Sequence, residues 1–573
     1  TDYNRVRMTR MFSTGYAAIE PVKGLKLKET LSYDYTIQKD SRYYNPLSSA
    51  GPKSGSDAQT AKGFIEYGKL ISSTSLNYVH TFAHKHHLNV LAAYEIESYQ
   101  TDHASGEKSK LPSDKLTEPD NAAVLNSFKS ATQAYRMISY LSRLNYDYDD
   151  RYYIAGSYRR DGSSRLSPNN RWGNFWSVSG MWHLGNENFM KAVKPVLSDV
   201  KIRASYGVNG NQPGSYYGYK GLYSYGENYM EAAGSYESSQ PNDLLTWEKN
   251  YSLNLGIDLS FINRIFASLE YYNRDTKDLL YSLPISATTG FTSYLSNIGR
   301  LNNKGIEFEL RTLNVVSNDF NWTSVFNLSH NRNKIVSLNG LLDQTIEGTW
   351  FIHKVGLPYH TFYVKEFAGV DPQTGYAQYY LNTKNEDGSY NRELTTDADK
   401  AESIPYKTAT PKVSGGFTNI LNYKWIDLTF TLTYSLGGYS FDKLGTYIEN
   451  GTSSIYSSRY NLPAYMMNRW QNPGDQTDIP RFVYNESATS TNSSRYIHST
   501  DHLRLKNFTL GFTLPNQWTQ KLMIDKVRIY FSGNNLLTWA KWKQYDPETP
   551  VNGEVFCEAP AMRTFSFGAQ LSF

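Results

Sequence analysis

Four histidines crowd one short stretch, Val79-His80-Thr81-Phe82-Ala83-His84-Lys85-His86-His87, and imidazole is a common metal ligand. The stretch reads as a tight turn between two alternating segments, and the turn has no carboxylate to complete a coordination sphere. A solvated turn is the simpler reading, and no metal is assigned. Asp371-Pro372-Gln373-Thr374-Gly375 and Asn385-Glu386-Asp387-Gly388 have the composition of calcium loops. They lack the alternating oxygen ligands and closing Glu of an EF-hand, and Asp-Pro and Asp-Gly are ordinary turn chemistry. A Ca2+ ion that stiffens long surface loops is the one cofactor left open. Glu307 and Glu309 share one face of an alternating segment, with Ile306, Phe308 and Leu310 on the other. Acid–base catalysis by such a pair needs a closed site that perturbs the pKa values, whereas a wet sheet face needs nothing more. Gly-x-Ser-x-Gly, phosphate-loop and His-Glu-x-x-His motifs do not occur. The chain is read as a non-enzyme.

Binding is the better-supported chemistry. Residues 208–245 carry Tyr216, Tyr217, Tyr219, Tyr223, Tyr225 and Tyr229 among glycines. A tyrosine offers a flat apolar face and a hydroxyl with little entropy to lose, which suits a stacked sugar or a peptide. The same rings could instead pack loops together or meet a partner protein. Trp350 and Phe351, in a second long loop, carry the same two readings. The candidate ligand-binding residues are therefore Tyr216, Tyr217, Tyr219, Tyr223, Tyr225, Trp350 and Phe351. Trp172, Phe175, Trp176 and Trp182 flank or lie in one alternating segment, and Trp322 and Trp425 begin others. Interfacial aromatic girdles place residues in this way.

Strands must position all of these. In Thr564-Phe565-Ser566-Phe567-Gly568-Ala569-Gln570-Leu571-Ser572-Phe573 apolar and polar residues alternate strictly, over a length (~10 residues) that crosses a bilayer as a tilted strand. The 573 residues include 48 Tyr, 26 Phe and 11 Trp, yet only 39% are hydrophobic. That is poor material for a large dry core and good material for a sheet greasy on one face and wet on the other. A net charge of +4 is too small for a nucleic-acid surface, and the single Cys557 rules out a disulfide within the chain. No run approaches the ~18 apolar residues of a membrane helix.

Period-two segments fall at 11–20, 25–37, 68–82, 86–99, 132–146, 151–161, 172–183, 199–207, 246–261, 264–275, 300–313, 320–333, 412–422, 425–436, 496–514, 525–533 and 564–573. Their connections alternate between short (2 to 15 residues) and long (10 to 78 residues). Antiparallel neighbours send alternate connections to opposite ends of a sheet, so one end is trimmed and the other elaborated. Short periplasmic turns and long extracellular loops distinguish outer-membrane barrels. A soluble propeller would show a blade repeat of ~40–50 residues, and none is seen. The expected fold is all-β, a transmembrane antiparallel β-barrel, multi-pass in the bacterial outer membrane and surrounded by its lipid. Seventeen is odd, and closed barrels of this type need an even count. Residues 1–573 are therefore expected to be the C-terminal portion of a larger barrel, with Thr1 in an extracellular loop.

Five segments carry a resemblance. They are Ser296-Asn297-Ile298-Gly299 with Asn303-Lys304-Gly305-Ile306-Glu307, Lys201 to Asn211, Arg469-Trp470-Gln471-Asn472-Pro473-Gly474-Asp475 with Ile479-Pro480-Arg481, Leu503 to Phe512, and Gly533 to Trp539 with Tyr545-Asp546-Pro547-Glu548. Together they resemble the SusC/RagA family of TonB-dependent outer-membrane transporters of Bacteroidetes. The resemblance implies a barrel of twenty-two strands around an N-terminal plug, a TonB-contacting segment upstream, and a SusD-like surface lipoprotein over the extracellular mouth. The plug, TonB box and first strands of that pattern are not found here. The implied function is uptake of oligosaccharides, or oligopeptides, across the outer membrane. A barrel adhesin or barrel enzyme is the alternative.

Overall fold

The computed structural model describes residues 2–46, 57–338, 344–345, 350–449, 461–483, 492–519, 524–548 and 553–572. Seventeen strands belong to one antiparallel sheet, and each falls on one expected segment. They are β1 (Tyr3–Val22), β2 (Leu25–Tyr44), β3 (Gln59–Phe82), β4 (His86–Ser109), β5 (Val124–Tyr148), β6 (Tyr152–Ser163), β7 (Trp172–His183), β8 (Leu197–Asn211), β9 (Glu248–Phe261), β10 (Ile265–Lys277), β11 (Arg300–Val316), β12 (Phe320–Ser337), β13 (Val413–Tyr423), β14 (Ile426–Leu436), β15 (His502–Thr513), β16 (Lys526–Ala540) and β17 (Thr564–Ser572). Phe573 lies outside the described residues, as do 339–343, 346–349 and other parts of the long loops. No helix among the described residues is long and apolar enough to cross a membrane.

The chain forms two compact units. In the first, β1 to β7 make an uninterrupted meander, each strand paired with the next. On β2 one face carries Leu25, Leu27, Leu31, Tyr33, Tyr35 and Ile37, with Glu29 among them accepting from the Ser72 and Thr74 hydroxyls, and the other carries Thr30, Ser32, Asp34 and Thr36. Cross-strand bonds tie the polar face together. Arg10 grips both oxygens of Asp34 at 2.8 and 2.6 Å, and the Thr14 and Ser32 hydroxyls meet at 3.0 Å. The second unit holds another meander, β11–β12–β13–β14–β15–β16–β17. There Thr418 meets Thr431 at 3.0 Å and Arg528 chelates Asp427 at 2.8 and 2.5 Å.

The first five strands outrun the expected segments. β3 and β4 have 24 residues and β5 has 25, well over the ~10 that cross a bilayer. Beyond the apolar band both faces are wet, so alternation stops while pairing continues, and a period-two search ends too soon. The expected segment 496–514 also divides. Ile497–Ser499 pairs with Tyr439–Asp442 in a loop sheet, and β15 begins only at His502.

Three short connections are two-residue turns. Lys85 N donates to Phe82 O, Arg151 N to Tyr148 O, and Arg264 N to Phe261 O. Each central pair has positive φ: Ala83 and His84, Asp149 and Asp150, Ile262 and Asn263. That is the type I′ geometry whose twist matches a hairpin, reached here without glycine.

Among the described residues, buried apolar side chains gather in three clusters that join the long loops to the strand ends, Phe175 of β7 and Val208 of β8 among them. One is Leu166, Phe175, Val208, Leu245 and Trp247. A second is Phe362, Val364, Phe441, Tyr496 and Ile497, and a third is Ala377, Tyr379, Ala398 and Ala401.

Candidate ligand-binding loops

The glycine-rich loop 212–247 sits in the first unit and is pinned at its base. Thr246 N donates to Asn297 Oδ1 at 2.8 Å, and Asn297 Nδ2 returns a bond to Thr246 O at 2.9 Å. Asn242 Nδ2 donates to Leu295 O at 2.8 Å. Trp247 meets Phe175 edge to face at 5.3 Å, and its indole N–H donates to Arg171 O at 2.9 Å. The buried indole thus keeps its polar handle satisfied.

The candidate tyrosines divide into two sets. Tyr216 lies parallel to Tyr99 at 6.1 Å and 5.8 Å from Tyr135. The Arg165 guanidinium covers both Tyr135 (4.1 Å) and Tyr216 (4.6 Å) and donates to Pro213 O at 3.0 Å. Tyr135 donates a short bond to Glu97, which pairs with Lys69 at 2.9 Å. Tyr217 accepts from Ala134 N at 3.2 Å, and Tyr219 packs on the Trp247 cluster. These three rings close the base. Tyr223 and Tyr225 sit instead on a small hairpin, 222–225 paired with 235–239. They are 56% and 76% exposed, and neighbouring Tyr229 is 74% exposed. The Tyr223 hydroxyl is held by Glu237 at 3.1 Å.

Tyr99, Tyr135 and Arg165 join this site without a sequence assignment. The readable signal was a tyrosine at a polar register. Lys69, Tyr99 and Tyr135 face one another across β3, β4 and β5, on the face that alternation assigns to water.

In the second unit Trp350 stacks on Phe441 at 4.3 Å, and its N–H donates to Glu554 at 2.6 Å. Phe351 stacks on Phe362 at 4.8 Å. Both belong to the apolar cluster around Phe441 and Phe362, with one edge open. Asp442, fully buried beside this cluster, caps helix Lys443–Ile448 by accepting from Gly445 N at 2.7 Å. Burial pushes its carboxyl up to about 6. His498, stacked on Trp542, is pushed down to about 4 by burial.

The turn candidates resolve locally. Asp371 accepts from Gln373 N at 2.9 Å, and Asp387 accepts from Ser389 N at 2.8 Å. These hydrogen bonds, led by those from Thr374 and Ser389, hold both carboxyls below the usual range. The histidines do not converge. His80 and His86 stack among Tyr78, Phe82, Tyr146 and Tyr148. His87 bonds to Thr81 at 2.9 Å and comes within 4.8 Å of carboxylate oxygens of Asp147 and Asp150. Those acids come from the next strand and turn, which a reading of one hairpin omits. Glu307 and Glu309 oppose Ser329 and Asn327 on a polar face.

One expectation is corrected. Trp172, Trp176 and Trp182 share an exposed face of β7, but Phe175 is 7% exposed and packs with Trp247. Its odd register turns it to the opposite face, away from any girdle.

Comparison with known proteins adds identity to this geometry. Residues 1–536 match the family model described as TonB dependent receptor-like, beta-barrel. The chain is 30% identical to TonB-dependent receptor P3 of Formosa agariphila, covering 97% of this chain and 57% of that protein. It is 32% identical to TonB-dependent receptor SusC of Bacteroides thetaiotaomicron, over 80% of this chain and 45% of that protein. Among solved structures, the RagAB peptide transporter superposes with a TM-score of 0.89 at 28% identity, covering 100% of this chain and 62% of that one. The chain thus spans about half the length of the curated relatives it matches.

Proposed function

Because the chain belongs to the TonB-dependent receptor β-barrel family, an outer-membrane family of transporters rather than enzymes, we propose that its protein imports oligosaccharides or oligopeptides. Capture falls to the exposed loop tyrosines, and a SusD-like lipoprotein completes the site from outside. Release inward is driven by TonB, through parts of the protein beyond this span.

The observation that carries this reading is the exposed trio Tyr223, Tyr225 and Tyr229 above a base already satisfied by its own packing. Exposed rings on a hairpin present flat surface with little ordering cost. Both ligand classes stack on such rings. SusC and the RagAB peptide transporter are relatives at similar identity, so the two classes are tested side by side. Full-length protein with its partner lipoprotein is screened against oligosaccharide and oligopeptide libraries by calorimetry. Micromolar or tighter binding of one class supports import. Binding of neither, with normal growth of a deletion strain on both, refutes it.

A further inference from the structure

At the short-turn end of the first unit one cross-strand row reads Thr81, His87, Asp147 and Tyr153, on β3, β4, β5 and β6 in turn. Alternation puts this row on the polar face, since Leu88, Tyr146 and Ile154, one step along their strands, make the apolar one. Asp150, in the turn between β5 and β6, joins the row by accepting from the Tyr153 hydroxyl at 3.4 Å. Two hairpins, β3–β4 and β5–β6, are thus brought together at one point.

The two ring nitrogens of His87 have different surroundings. Nδ1 shares a hydrogen with the Thr81 hydroxyl at 2.9 Å. Nε2 is left toward Asp147, 3.9 Å from its Oδ2, which is too long for a hydrogen bond. That oxygen is nonetheless sealed from solvent and has no hydrogen-bond partner among the described residues. The amide oxygen of Asn89, two residues from His87 on the same strand and face, is in the same state. A buried acceptor without a donor is costly, and two on neighbouring rows mark a place where an ion or a water belongs. Lys85 and Arg151, the cations of these turns, pair with Asp149 at 3.7 and 3.3 Å. Among the described residues, His87 is the one basic group within ion-pair reach of Asp147.

The ligand atoms of His87, Asp147 and Asp150 lie within 4.8 Å of one another. Atoms bound to one zinc ion at ~2.0–2.2 Å stand ~3.3–3.5 Å apart, so small side-chain rotations at a wet turn close the set. One imidazole with two carboxylates suits zinc and its neighbours better than magnesium or calcium, which prefer oxygen alone. Thr81 holds the second ring nitrogen as an outer-shell partner does, fixing the ring's direction.

We infer that His87, Asp147 and Asp150 bind one divalent transition-metal ion of the zinc class, with water completing the sphere. The ion ties β4 to the β5–β6 turn. This site lies at the end of the sheet away from the tyrosine loop, and the inference is independent of the transported substrate.

The test uses tag-free, full-length protein in detergent, stripped with EDTA and titrated with Zn2+ alone by calorimetry. Wild type is expected to take up one equivalent with a Kd of about 10 µM or tighter, and to unfold at a higher temperature once loaded. His87→Gln and Asp147→Asn each weaken binding about a hundredfold and abolish the thermal shift. Thr81→Val leaves all three ligands in place and weakens binding about tenfold, the scale of a lost outer-shell partner. His80→Gln with His84→Gln keeps the site, which separates it from imidazoles that bind metal at random. Millimolar Ca2+ or Mg2+ does not compete. The metal-free melting temperature reports that each variant is folded, and either ligand variant alone carries the test. No uptake by wild type, unchanged uptake in His87→Gln and Asp147→Asn, loss in the His80/His84 variant, or displacement by Ca2+ or Mg2+ overturns the inference.

Discussion

Loop 212–247 contains one residue type in two opposite situations. At its base Tyr216, Tyr217 and Tyr219 meet Tyr99, Tyr135, Arg165 and the Trp247 cluster. At its tip Tyr223 and Tyr225 have only their own hairpin beneath them. The difference comes from what the neighbouring strands and loops offer below each ring. A base ring is packed against the scaffold, and a tip ring is exposed.

The comparison breaks most visibly at Trp247. Trp247→Ala leaves a cavity against Phe175, Leu166 and Leu245 and costs about 3–5 kcal/mol locally. Trypsin should then cut within 212–247 while the strands stay intact. A loop as resistant as wild type would mean that the base is held by something else.

The second unit has a buried counterpart in Asp442. Its carboxyl is raised from 3.8 to about 6. The linked stability is therefore fully present below pH 3.8 and is lost as pH rises through about 6. At ~1.4 kcal/mol per unit this is about 3 kcal/mol at pH 7. Asp442→Asn keeps an acceptor for Gly445 N and should stabilise the loop by that order at pH 7.5 and hardly at all at pH 4. His498, whose lowered pKa gives the opposite slope, is common to both proteins and cancels in the difference. A variant-minus-wild-type difference that stays flat with pH, read by hydrogen exchange over Lys443–Ile448, contradicts this.

Arg165→Ala removes the cation shared by Tyr135 and Tyr216 and should cost about 1–2 kcal/mol. It loosens the base without releasing the whole loop, so hydrogen exchange at 213–217 rises and the melting temperature barely moves. Smallest in stability is the tip. Tyr223→Ala with Tyr225→Ala should stay within ~0.5 kcal/mol of wild type, as surface substitutions do.

All seventeen sheet strands were legible because alternation is imposed by the membrane on one face and water on the other. Legibility stopped where that constraint stopped. The upper halves of β3, β4 and β5 are wet on both sides, and Ile497–Ser499 answers to a loop sheet. The candidate tyrosines could be named, but not sorted. Tyr216 and Tyr225 have similar local sequence, and only the long-range placement of Arg165 and Tyr135 separates them. Phe175 was misassigned for a related reason. Its neighbours Trp172, Trp176 and Trp182 suggested a girdle, and one step of register put it on the other face.

The most direct measurement is ligand affinity with the tip rings removed. With the oligomer found by screening full-length protein, the Kd of Tyr223→Ala/Tyr225→Ala is titrated beside wild type, with melting temperatures recorded. A Kd raised by at least about fivefold, roughly 1 kcal/mol of lost stacking, at unchanged melting temperature is the predicted result. An unchanged Kd would contradict the account, because the exposed rings would then be idle and capture would lie elsewhere.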